Sequence, residues 1–372
     1  METPMEVKIS RETLLNGAQK IQGMVEAKGA MPILAHAFIA AAGDEICIQA
    51  TDLEIGSKAY YPANVIKPGS VTINARKLLD IVRELPDHEI HLVKEDSNWT
   101  TLKCGKAKFR LPGMAPEDFP ALPEYSDEAV MEFSASTLKE MVKKTFFAVS
   151  PDETRQALNG LLLEREGSNA IMVGTDGHRL SMISRPFLKA AENDEKQSFL
   201  LPKKAVSELI KQMDNEEGSF IFSEKSSHLA FIREKQVIVS RMIDGKFPNY
   251  KQVIPSGNDK KATINREEFQ HALKRVALLA DDKSKMVRFE FADGMMSLIS
   301  DNTEMGTARE EMAVDYKGDG MFVGLNARYL LDVLSVLDHE TVTLNMKNEN
   351  HSCLITIDED PEYKSIVMPM RL

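Results

Sequence analysis

The chain has 372 residues, enough for two or three domains of ordinary size. Its net charge of −11 argues against a simple basic nucleic-acid binder, and 43% hydrophobic with 28% charged residues excludes intrinsic disorder. Cys47, Cys104 and Cys353 lie far apart without a C-x-x-C, which excludes a disulfide scaffold and a cysteine zinc site. Twenty methionines against one tryptophan suggest adaptable apolar surfaces. The opening METPMEVKIS has neither the basic nor the apolar region of a signal peptide. The longest apolar stretch, 30–43, is broken by Pro32 and His36 and is too short to span a bilayer. A cytoplasmic protein with reduced thiols is expected, with no membrane contact.

In chain order, VKISRETLLNGAQKI reads as a short strand, a Ser cap and an amphipathic helix, with Ile9 and Leu14 facing the core. The same pattern returns as MEFSASTLKEMVKKT (Phe133, Leu138) and ATINREEFQHALKRV (Ile264, Phe269), 124 and then 131 residues further on. IQATDLEIG, VGTDGHRLS and LISDNTEMG align Asp52, Asp176 and Asp301. VTINARKLLDIVREL, SFLLPKKAVSELIKQ and FVGLNARYLLDVLSV align Ala75, Pro202 and Ala327. Strand-like KFRLPGM, IVSRMID and IVMPMRL close the three units, and alternating EIHLV, SFIFS, HLAFI and VTLNM supply further strands. Agreement of independent landmarks on one spacing establishes a threefold repeat. Each unit has two strand–helix beginnings, so the expected fold class is α+β: three tandem domains, each a doubled β-α-β-β-β unit. Their expected bounds are 1–122, 129–256 and 261–372, with linkers PALPEYSDEA and PSGNDKKA between them.

Charge is sorted by element. The six helical openings (10–21, 75–85, 136–145, 202–212, 264–276 and 326–334) together carry +7, leaving −18 for everything else. Lysine is a good former of wet helix faces, yet equivalent cations in successive repeats point to one surface facing a polyanion. Phosphate-backbone binding needs only such a positive lining.

No catalytic pattern emerges. His178 follows Asp176 in GTDGHRL without a Ser or Cys nucleophile in an elbow or triad pattern, and H-E-x-x-H, G-x-x-x-x-G-K-[ST] and G-x-G-x-x-G are absent. Asp52, Asp176 and Asp301 fall in three separate domains, so bonding to local backbone in turns is the expected role rather than metal ligation. No enzyme, cofactor or metal is expected. The rivals are a repeat scaffold that binds only proteins, which leaves the basic helices unexplained, and a metal-dependent hydrolase built on those aspartates.

With the repeat, MPIL (31–34), ATDLEIG (50–56), TDGHRL (175–180), DGKFPNY (244–250) and the terminal VMPMRL make the sequence closely resemble the bacterial DNA polymerase III β subunit, the sliding-clamp family, over essentially the whole chain. The resemblance implies three DNA-clamp domains per chain and a head-to-tail homodimer closing into a pseudo-sixfold ring around double-stranded DNA, bound without regard to sequence. Such a processivity factor tethers the replicative polymerase through its alpha subunit. A clamp-loader ATPase complex opens it, and other replication and repair proteins dock with clamp-binding peptides. Two chains of three units with two helices each would line the hole. At about 10 Å per helix the circumference is ~120 Å and the free hole ~28 Å, which passes a duplex of roughly 20 Å with room for water.

The resemblance also assigns residues. DNA contacts would be Lys28, Arg76, Arg83 and Arg155, and the repeat argument adds Lys203 and Lys204. The partner-peptide cleft would comprise Leu158, Thr175, Gly177, His178, Arg179, Leu180, Pro248, Val253, Asn326, Tyr329, Ser352, Ile366, Val367, Met368, Pro369, Met370, Arg371 and Leu372. At the dimer interface, Lys106, Lys108 and Phe109 would meet Leu278 and Leu279 of the other chain, with Glu310 and Glu311 complementing the lysines. Gln156 and Ala157 stand where some relatives carry aromatics, and Gln252 where some carry arginine, which puts base stacking and peptide preference at those positions in question.

Overall fold

In the first and third repeats, the polar side chain that ends a strand caps the helix that follows. In the computed structural model, which describes residues 5–26, 29–126, 128–190, 197–213 and 217–371, Ser10 accepts from the Thr13 amide to start α1 (Arg11–Lys20) and Asn74 from Lys77 to start α2 (Ala75–Glu84). α3 (Ala135–Thr145) and α4 (Lys203–Lys211) follow. Asn265 caps α5 (Arg266–Val276) and Asn326 caps α6 (Ala327–Val336). The sequence pairs Ile9/Leu14, Phe133/Leu138 and Ile264/Phe269 are all buried, as the strand-to-helix pattern requires.

The first repeat runs Glu6–Ser10, α1, His36–Ala42, Glu45–Thr51, Ile55–Pro62, then Gly69–Asn74, α2, Glu89–Lys94, Trp99–Cys104 and Ala107–Pro112. That is the doubled β-α-β-β-β unit, with one short extra strand, Asn64–Lys67, at its middle. Lys189–Ala190 and Asp315–Tyr316 are the corresponding insertions in the second and third repeats. Two alignments shift by one residue. α4 starts at Lys203, so Lys203 and not Pro202 is the counterpart of Ala75 and Ala327; Pro202 takes the capping place held elsewhere by asparagine. In the turns, Asp52 Oδ1 accepts from the Glu54 and Ile55 amides and Asp176 Oδ1 from His178 and Arg179. In the third repeat Asn302 Oδ1 makes these bonds, to Glu304 and Met305, so Asn302 rather than Asp301 is the equivalent. A neutral amide serves as well there because the work is turn formation.

Among the described residues all strand pairing is antiparallel, and the sheets cross the repeat boundaries. The chain packs as two compact units, one combining the first domain with part of the second, the other combining the rest of the second with the third. In the first unit, Gln236–Arg241 pairs with Ile55–Pro62, joining strands of two repeats into a nine-stranded sheet beside a five-stranded one. In the second unit, Arg179–Pro186 pairs with Asp360–Val367 in another nine-stranded sheet, beside a four-stranded one.

A buried ion network backs the second junction. Lys144 Nζ lies 2.8 Å from Glu140 and 2.9 Å from Asp360, and Arg185 Nη2 reaches both carboxylates at 2.6 Å. Burial alone would raise the Asp360 and Glu140 carboxyls, but their bonds to Arg185 and Lys144 outweigh it and hold both below the ordinary range. Removing one member of such a network leaves buried cations short of an anion. Asp360→Asn is therefore expected to destabilise the protein by about 3 kcal/mol at neutral pH, measured by chemical denaturation. A depressed carboxyl stabilises above its ordinary pKa and loses that contribution as pH falls through its folded value, so the gap between variant and wild type should close in strongly acidic buffer.

Candidate functional site

The segment Thr175–Arg179 folds on itself before it can form a site. Thr175 Oγ1 donates to the Arg179 carbonyl at 2.6 Å and accepts from the Gly177 amide at 3.1 Å. Gly177 has φ +89°, and a Cβ there would stand 2.8 Å from Arg155 Nη2, so glycine both suits this backbone and leaves the Arg155 guanidinium its place. Arg179 pins this turn to the surrounding elements. Its Nε donates to Asp176 Oδ2 (3.1 Å), Nη1 to Asp332 Oδ2 (2.5 Å) and Nη2 to the Phe147 carbonyl (2.7 Å), while its guanidinium lies 4.5 Å from the Tyr329 ring centroid.

Beside the turn opens a pocket of about 120 Å3. Its wall is continuous with a buried apolar cluster that includes Leu162, Val173, Leu180, Tyr250 and Ile366. The Tyr250 hydroxyl donates to Glu164 Oε2 at 2.7 Å; burial, reinforced by that carboxylate, pushes its phenol far above the ordinary value, so it stays a donor. The chain's last strand completes the site. Past its pairing with Arg179–Pro186, the Met368 amide donates to the His178 carbonyl (2.9 Å) and the Met370 amide to the Gly324 carbonyl (2.8 Å).

Of the expected cleft residues, Leu158, Thr175, Gly177, His178, Arg179, Leu180, Pro248, Val253, Ile366 and Met368 line this pocket. The others stand elsewhere. Asn326 is occupied as the α6 cap and donates to the Ser284 carbonyl, Tyr329 supports Arg179 from behind, and Val367 is buried in its strand. The Ser352 carbonyl accepts from Asn258, Met370 is tied to Gly324, Pro369 and Arg371 flank it outside the pocket wall, and Leu372 lies outside the described residues. Two lining residues escaped the cleft assignment. Tyr250 could have been suspected from the aromatic that follows Pro248 in KFPNY. Arg155, expected on DNA, is a pocket residue whose Nη1 donates to the Asp176 carbonyl at 2.8 Å.

The remaining expected residues fall on the surface. Arg76 and Arg83 are exposed on α2, Arg76 within 3.6 Å of Asp80; Lys203 is half-buried, Lys204 pairs with Asp52, and Lys28 lies outside the described residues. The helix cations as a group are less available than their count suggests. Lys144 is buried in the ion network, Lys143 meets Asp338, and Arg11 and Arg266 bond backbone carbonyls of neighbouring elements. Lys106, Lys108 and Phe109 are exposed on or beside Ala107–Pro112, and Leu278, 77% exposed, shares the turn Ala277–Leu279 with Leu279. Glu310 and Glu311 hold partners in their own chain, Arg275 and Arg309.

Three domains built from one doubled β-α-β-β-β plan, joined edge to edge through shared sheets, with an apolar pocket closed by the chain's own last strand, define the class of DNA-polymerase processivity clamps. Family models describe the same division: the N-terminal domain of the DNA polymerase III beta subunit matches residues 5–123, the central domain 132–249 and the C-terminal domain 251–371. The beta sliding clamp of Pseudomonas putida is 32% identical over 372 residues, covering 99% of this chain and all of the relative; that of Chlamydia muridarum is 32% identical over 368 residues, covering 99% of each. Among solved structures, the DNA polymerase III subunit beta of Pseudomonas aeruginosa superposes with a TM-score of 0.93 at 31% identity, over 99% of this chain and 100% of that one. The C. crescentus beta sliding clamp gives 0.94 at 30% identity with complete coverage of both. The chain belongs to the DNA polymerase III beta subunit family, the bacterial sliding clamps, and is a non-catalytic processivity subunit of DNA replication.

Arg179 satisfies two carboxylates and a carbonyl while stacked on a ring, so Arg179→Met strands buried acceptors. It is expected to lower stability by about 3 kcal/mol and to loosen the 175–179 turn. Calorimetry and amide exchange at His178 would register both effects.

Proposed function

We propose that two copies of this chain close head to tail into a ring around duplex DNA, and that the pocket beside Met368 receives apolar peptides of its replication partners. The observation that carries the ring is the strand count. Each internal junction makes a nine-stranded sheet from a group of five and a group of four. Among the described residues one group of each size is left unjoined: five strands ending at the edge Ala107–Pro112, and four ending at the edge Gly306–Ala313. Joining them between protomers completes a third nine-stranded sheet and covers two open edges that would otherwise invite uncontrolled pairing.

The internal junctions also predict the register. Gln236 faces Ala59 and Ile238 faces Ser57. Ala107 holds the place of Gln236 after its hairpin, and Gly306 that of Gly56 after its turn. Ala107 would then face Arg309 of the other copy and Phe109 would face Thr307, which brings Phe109 towards the exposed Leu278 turn and gives both apolar side chains a cover.

In such a ring, DNA would meet helices whose net charge is modest and largely paired, with Arg76 and Arg83 supplying exposed cations. Loose electrostatic contact of this kind suits sliding, because deep or numerous ion pairs would fix the protein in place. The polymerase III alpha subunit, the clamp-loader complex and other cytoplasmic replication and repair proteins would present short segments with apolar side chains to the cleft. Met368 supplies an adaptable thioether, Arg155 a cation at the rim. A structure of the C. crescentus clamp holds polyethylene glycol at its proposed beta-motif tethering region, and one of the P. aeruginosa clamp is bound to griselimycin.

Electron-microscopic class averages of the purified protein test the ring directly. Six-lobed particles with a hole of about 30 Å are expected; compact particles without a hole would remove the encircling mechanism. For the cleft, truncation before Met370 removes its bond to Gly324 and frees the strand end that carries Met368. Fluorescence-polarisation titration with a labelled glutamine–leucine-type peptide should then show binding abolished while the thermal transition persists. Unchanged affinity would refute the cleft assignment.

A further inference from the structure

The two internal junctions use the same positions and fill them with different chemistry. In the second unit, Ser181 Oγ donates to the Lys144 carbonyl (2.6 Å) and lies 3.2 Å from the Tyr363 hydroxyl; Lys144 Nζ lies 5.3 Å from the centroid of the Tyr363 ring, and Arg179 satisfies Asp332. Strand register places Ser57, Gln236 and Ile55 of the first unit where Ser181, Tyr363 and Arg179 stand in the second. Helix register likewise places Glu208, the sixth residue of α4, where Asp332 is the sixth of α6.

The first junction therefore has an acid without its arginine and a glutamine in place of a tyrosine. Gln236 Oε1 accepts from Lys20 Nζ at 3.2 Å. A cavity of about 10 Å3 remains, walled by Ile21, Tyr61 and Phe231 and reached by Ser57, Gln212 and Gln236. Gln212 is only 7% exposed, and its Nε2 is buried without a hydrogen-bond partner. Glu208, one turn earlier and 4% exposed, engages Lys211 through Oε1 while its Oε2 is also buried without a partner.

An unmet buried amide is costly, and a cavity of about 10 Å3 that polar side chains reach is just large enough for one water. We propose that the junction of the first unit holds one structural water, which accepts from Gln212 Nε2 and bonds the Ser57 hydroxyl, taking the place that the Tyr363 hydroxyl has beside Ser181. One junction is thus sealed by an ion network and the other by a hydrated amide.

A high-resolution crystal structure of the full chain, alongside that of Gln212→Met, tests this, with melting temperatures read on both. The wild type is expected to show a density peak within hydrogen-bond distance of Gln212 Nε2 and Ser57 Oγ. The methionine variant should lose the peak and melt a few degrees lower. A cavity without density, or a Gln212→Met protein that melts at or above the wild-type temperature, would overturn the proposal, because replacing an unmet buried amide with an apolar side chain is neutral or stabilising.

Discussion

Antiparallel hydrogen bonding between strand edges of successive repeats is the constraint on which the rest of the structure depends. A repeat of this kind ends on open edges, and an open edge is both a liability and a means of assembly. Ser240 opposite Ile55 and Val367 opposite Arg179 show the same solution twice. Once those registers are set, the turn that precedes each joined strand lands beside the end of the strand it meets. The pocket is a consequence: Thr175–Arg179 lies next to Met368 because Arg179 and Val367 are paired.

The two junctions show how a repeated backbone takes on separate roles. Arg179 ties its turn to α6 and to the Phe147 carbonyl, whereas its counterpart Ile55 makes no such ties and Glu208 is left against Gly23, where a Cβ could not fit. The turn itself is common to both. Leu53 tolerates φ +76° in the first repeat where the second has Gly177, yet only the glycine leaves room for Arg155 at the rim of a pocket. Divergence at a few side chains, on one scaffold, has given one junction an open pocket and the other a closer seam.

Charge placement follows a similar economy. The helices are basic in the sequence, but Lys144, Lys143, Arg275 and Arg76 each face a carboxylate within their own chain. The pairs of Lys143, Arg275 and Arg76 lie at the surface and contribute little stability, unlike the buried Lys144; what all of them do is temper the positive field. A protein that must hold a polyanion without gripping it is served by cations already half-neutralised, in a chain whose total charge is −11.

The sequence by itself determined the repeat, the doubled β-α-β-β-β plan, the strand-to-helix pattern and the buried pairs from Ile9/Leu14 onward, because caps and apolar periodicity act within a dozen residues. It also pointed to ten of the pocket residues, through the resemblance carried by TDGHRL and VMPMRL. Only the tertiary structure decided that Asn302 rather than Asp301 closes the third turn, that Lys203 rather than Pro202 aligns with Ala75, and that Arg155 and Tyr250 belong to the pocket while Asn326 and Tyr329 support it. It alone showed which lysines are already paired. The pocket membership and the pairing of the lysines turn on partners 20 to more than 200 residues away, such as Asp176 for Arg155 and Asp360 for Lys144. A hydrogen bond is settled by position to within an ångström, and that position is fixed by strand register across repeats, which no local pattern encodes.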